Sequence, residues 1–84
     1  MIYSLEYNTD HHYYELHYHI LEHAVEDMAV RQQDQRNKNF TLHAKEEITN
    51  RLMFSFSVTE INALLKKHSN GEKIDQTNIR TPIT

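Results

Sequence analysis

His19 and His23 stand four residues apart, the spacing that puts two imidazoles on adjacent turns of one helix face and lets both reach a single zinc or nickel ion. Glu22 or Glu26 would be near enough to add an oxygen. One helix supplies two or three ligands at most, so this chemistry requires a second chain and would make a metal-linked structural dimer. The plainer reading is a solvated face on which His and Glu alternate. The 84 residues include no cysteine, which excludes thiolate ligands, cysteine nucleophiles and disulfides.

The two histidines belong to the stretch DHHYYELHYHILEH, residues 10–23, which holds five of the seven histidines and three of the five tyrosines. Charge is segregated around it. Residues 1–30 carry six acids (Glu6, Asp10, Glu15, Glu22, Glu26, Asp27) and no Lys or Arg, whereas residues 31–84 carry nine bases and six acids. A concentrated acidic and aromatic surface competes for a basic groove on another protein, and Glu15, His19, Glu22, His23 and Glu26 are the expected partner contacts. Protonation of the histidines would take this half of the chain from strongly negative toward neutral between about pH 7 and 5.

Other chemistries fare worse. Ser, His and Asp occur, but no spacing marks a triad, and the single glycine, Gly71, excludes Gly-rich phosphate loops. A non-enzyme without cofactor is expected. No apolar run approaches the roughly 18 residues of a membrane span, and MIYSLEYNTD lacks the order of a signal peptide, so a cytoplasmic chain without membrane contact is expected.

The elements that must position these residues read as all-α, a single domain over residues 1–84 in the manner of a three-helix bundle. Tyr3, Leu5 and Tyr7 alternate in an arm over 1–8, extended as a short strand or packed segment. Asn8, Thr9 and Asp10 offer N-caps for a long helix over 9–35, on which Tyr13, Tyr14, Ile20, Leu21, Ala24, Val25 and Met28 share a broad apolar face. His17 projects into that face as a neutral, hydrogen-bonded histidine. Asp27 and Arg31 form a supportive i,i+4 pair. The face exceeds what the rest of the chain covers, so a homodimer through Tyr13, Tyr14, His17, Ile20 and Leu21 is expected.

A helical hairpin is expected over 43–70. Its first helix rests on Ala44, Ile48 and Leu52, with Glu47 pairing Arg51. The second has Ser57 and Glu60 as a capping box, a staple of Phe56 with Ile61, a buried side of Val58, Ile61, Leu64 and Leu65, positive charge at Lys66, Lys67 and His68, and Gly71 as its stop. An extended tail over 72–84 follows.

The run EEITNRLMFSFSVTEINALLKK has the cadence of a helix-turn-helix without the usual turn glycine; Thr59, Asn62, Lys66 and Lys67 would face nucleic acid. Function is expected to be that of a small protein-binding inhibitor or regulator, of the kind phage and mobile elements direct at a host protein (anti-defence, antitoxin or immunity-like), whose target presents a basic surface. A dimeric DNA-binding transcriptional regulator is the alternative.

Overall fold

Tyr3, Leu5 and Tyr7 point one way and Ser4 and Glu6 the other, the period of a half-buried strand. Two more segments share that period, Tyr14, Leu16 and Tyr18, then Phe40, Leu42 and Ala44. The three rows lie side by side. The structure, a computed structural model, describes residues 1–74. Its elements are β1 (Ile2–Asn8), β2 (Tyr13–Tyr18), α1 (Leu21–Gln32), β3 (Lys38–Lys45), β4 (Leu52–Ser55) and α2 (Val58–Ser69). The strands form one antiparallel sheet in the order β2-β1-β3-β4.

One face of the sheet carries the core. Tyr3, Leu5 and Tyr7 of β1 and Leu42 and Ala44 of β3 pack with Leu21, Ala24, Val25 and Met28 of α1 and Ile61 and Leu64 of α2. Phe56, Phe54 and Tyr3 add an aromatic cluster beside them. The other face, bearing Ser4, Glu6, Glu15, His17, Thr41, His43 and Ser55, is polar.

This α+β architecture overturns the all-α expectation. The long helix over 9–35 is a turn, an edge strand and a twelve-residue helix. A two-residue period in YYELHY, satisfied by pairing with β1, prevails over the 3.6-residue period that the same aromatics also fit. The first helix of the 43–70 hairpin is the end of β3, a turn and the start of β4, so the helix-turn-helix is absent as well. Ala44 is buried in a strand, Ile48 stands exposed on the turn, and Leu52 lies on the sheet edge. The arm is β1, and the second hairpin helix is α2 with its capping box. Of the expected tail, residues 75–84 lie outside the described residues.

The hairpins turn without glycine. Thr9 Oγ1 accepts from the amides of His11 (3.3 Å) and His12 (3.1 Å), while Thr9 N–H donates to the His12 carbonyl at 2.8 Å. Between β3 and β4 the Glu46 carboxylate accepts from the amides of Ile48 (3.2 Å) and Thr49 (2.6 Å) and from Thr49 Oγ1 (2.5 Å), and Asn50 adopts φ +58°. Asparagine tolerates that left-handed conformation better than most residues.

The chain is built of two strand-turn-strand-helix units. Adding 37 to a residue number carries α1 onto α2 end to end, β1 onto β3 within a residue, and β2 onto the segment that ends as β4. Because β1 and β3 are antiparallel neighbours paired at Leu5 and Leu42, the two units are related by an approximate two-fold axis through the sheet. Tyr3, Ser4 and Leu5 correspond to Phe40, Thr41 and Leu42. The two turns therefore lie at opposite ends of the sheet.

Candidate functional site

The polar sheet face is closed by its own side chains. Glu15 Oε2 accepts from Ser4 Oγ at 2.9 Å and from Lys45 Nζ at 3.2 Å, and lies 3.1 Å from His17 Nε2. These hydrogen bonds, that of His17 foremost and then those of Ser4 and Lys45, hold the carboxyl at about 2. Ser4, although on the polar face, is wholly covered by this arrangement. Alongside, His43 Nε2 meets Glu6 Oε2 at 3.0 Å and His43 Nδ1 meets Ser55 Oγ at 2.7 Å, while Tyr13 donates its hydroxyl proton to Glu6. A hydroxyl, an imidazole and a carboxylate in series is the order of an acyl-transfer relay, and here the series runs across the strands of the sheet. Its effect is to brace four strands.

The surface that leaves apolar groups in water is the β3–β4 corner. Ile48 is 90% exposed on the turn that Glu46 locks, and Met1, Leu52 and Met53 are exposed around it. Met1, Ile48 and Met53 line a shallow cleft of about 230 Å³ with Glu46 and Glu47 at its rim. The hydroxyl of Thr49 and the amides of Thr49 and Ile48 lower the Glu46 carboxyl below its ordinary range, so the rim stays anionic. Glu47 is 3.6 Å from His19 Nδ1 and 3.8 Å from the N-terminal amine. An exposed aliphatic side chain on a hydrogen-bonded turn thus stands beside two carboxylates.

The residues singled out from sequence are dispersed. Glu15 belongs to the polar network, His19 precedes α1, and Glu22, His23 and Glu26 lie on α1, where Glu22 accepts the Ile74 amide at 3.3 Å. With His19 outside the helix, the four-residue spacing to His23 loses its meaning for a metal. Among the described residues no three His, Asp or Glu side chains stand close enough to hold an ion. Of the expected dimer surface, Leu21 is 1% exposed within the core, Tyr13 and His17 face the polar side, Tyr14 stacks on Tyr7 on the opposite side, and Ile20 precedes α1. His17 is thus an exposed partner of Glu15, where the sequence pattern placed it within an apolar face.

Thr59, Asn62, Lys66 and Lys67 do share the exposed side of α2. The Asp27–Arg31 pair forms at 3.1 Å, extended by Tyr18, which donates to Asp27, and by Arg31 Nη1, which donates to Tyr7 at 2.7 Å. Burial and the Asp27 charge both raise the Tyr18 hydroxyl above its ordinary value, keeping it a proton donor. The corner at Ile48 went unseen because its residues fit a helix face. The available signal was Glu46 followed by Thr49 and Asn50, a turn pattern lacking only glycine.

Among the described residues no helix is long and apolar enough to cross a membrane. Comparison with known proteins yields no match: no family model, no curated protein and no solved structure is significantly similar to the chain.

Proposed function

We propose that this chain is a non-enzymatic protein-binding module of the inhibitor or regulator type, acting in the cytoplasm, and that it docks through the β3–β4 corner. The observation that carries this reading is Ile48, almost fully exposed on a turn whose backbone and side-chain hydrogen bonds hold it in place. An aliphatic side chain on a pre-ordered turn loses little backbone entropy on binding, and Met53 and Leu52 beside it add adaptable apolar area. The fitting partner is a protein with an apolar pocket flanked by Lys or Arg, which meet Glu46 and Glu47. This keeps a basic partner surface while moving the contact from helix to turn.

The test compares capture from lysate by the wild type, Ile48→Glu and, as an exposed apolar control on α1, Val30→Glu. Ile48→Glu is expected to weaken capture of one stoichiometric partner by about 2 kcal/mol, roughly 30-fold in Kd, without lowering the melting temperature. Val30→Glu is expected to retain it. Equal capture of the partner by Ile48→Glu would remove the corner from consideration. A second reading, nucleic-acid binding, draws on the exposed face of α2; it requires Lys66→Ala with Lys67→Ala to weaken binding regardless of sequence.

A further inference from the structure

The end of the sheet opposite the Ile48 corner holds a different surface, built from the histidine-rich motif that the protein-binding reading does not use. Phe40, Tyr7 and Tyr14 form a cross-strand row of stacked rings, with centroids 5.0 and 5.1 Å apart and planes within 20° of parallel. Tyr14, at the outer end, is 39% exposed. Its ring forms one wall of a cleft of about 580 Å³ whose other walls come from the β1–β2 turn (His11, His12) and the end of α1 with the loop after it (Arg31, Arg36). His12 meets Tyr14 edge-on at 6.1 Å, and the Arg31 guanidinium stands 5.6 Å over the Tyr7 ring.

Two carboxylates, Asp10 and Asp34, also line the cleft, and each is neutralised. Lys38 pairs with Asp10, and Arg36 grips Asp34 through Nε at 3.1 Å and Nη2 at 2.8 Å. Arg36 Nη1 takes no part in that pair. The cleft therefore offers an aromatic platform, imidazoles and a guanidinium nitrogen that, among the described residues, is outside the Asp34 pair, with its two carboxylates each matched by a cation. Its volume falls within the range of small-ligand sites.

We propose that this cleft binds a nucleotide, its base stacked on Tyr14 and its phosphate held by Arg36 and the His11–His12 turn. Aromatic rings accept any base by stacking, and guanidinium and imidazole groups are the usual donors to phosphate oxygens. The inference is independent of the Ile48 corner, about 20 Å away along the strands.

The experiment is a titration of the full chain, followed by amide and aromatic NMR shifts, with adenosine 5′-monophosphate, adenosine and inorganic phosphate in parallel. Saturable shifts confined to residues 7–14 and 31–37, with the nucleotide at least about tenfold tighter than adenosine or phosphate, are the expected result. Arg36→Gln, at a side chain 85% exposed, is expected to fold normally and weaken the nucleotide about tenfold while leaving adenosine unchanged. Tyr14→Leu, which keeps apolar cover over Tyr7, is expected to weaken both nucleotide and adenosine. Absence of saturable shifts, shifts centred elsewhere, or phosphate binding as tightly as the nucleotide would each overturn the proposal.

Discussion

Glu15 shows how much a single side chain can differ from its sequence context. Among six acids without a nearby base in sequence it reads as a solvent-facing contact for a partner; in the fold it is the acceptor of Ser4, His17 and Lys45, drawn from three strands. Lys45, 30 positions away, is the base that no local pattern connects to it. The arrangement sets a sign for acid behaviour. A carboxyl held at about 2 against an ordinary 4.5 stabilises the folded chain fully above pH 4.5 and loses that contribution as pH falls from there toward 2. Glu15→Gln is expected to cost about 1 kcal/mol at pH 7, after allowance for solvent screening of a part-exposed group, and to flatten the acid limb of chemical denaturation measured between those pH values. An unchanged acid limb would show that the network carries no stability.

At the scale of elements, what was legible is what local chemistry decides. The α2 capping box is formed as its residues indicate: Glu60 N–H donates to Ser57 Oγ at 3.1 Å and Ser57 N–H donates to Glu60 Oε1 at 2.9 Å. Its stop at Gly71 takes φ +74°, where a Cβ would be strained. Ser57→Ala is expected to lower stability by about 1 kcal/mol, a fall of roughly 4–8 °C in melting temperature, and circular dichroism on heating checks it. The β1 alternation was legible too. By contrast α1 begins at Leu21 after an N-cap residue, Ile20, that offers no side-chain cap, so nothing local marks its start, and the available caps at 8–10 serve a turn. The strands β2 and β3 depend on pairing with β1, and sheet partnership between residues such as Leu5 and Leu42 leaves no trace in a window of neighbours. With no glycine in either turn, Thr9, Glu46 and Asn50 make the two turns by side-chain acceptors and a tolerated left-handed residue.

At the scale of the molecule, two structurally equivalent units differ at their equivalent turns. One turn contributes histidines to an aromatic and cationic cleft; the other presents Ile48 above a rim of carboxylates. Leu5 and its counterpart Leu42 keep the shared core at the two-fold axis and Ser4 and Thr41 match on the polar face, whereas the turns share no residue pattern, which is why the repeat escapes the sequence. The acidic half identified from composition is also divided by the fold, Glu15 on the polar sheet face and Glu22 and Glu26 on α1 over the opposite face. The proposed docking surface is accordingly the corner at Ile48 and not one face of a single acidic helix. The most direct measurement is backbone hydrogen exchange of the chain alone and with the partner it captures. Protection gained at 46–53, with α1 unchanged at 22–30 and α2 unchanged at 59–67, is the result expected of docking through Ile48. Protection concentrated on α1 or on the outer side of α2, with the 46–53 turn exchanging as in the free chain, would contradict it.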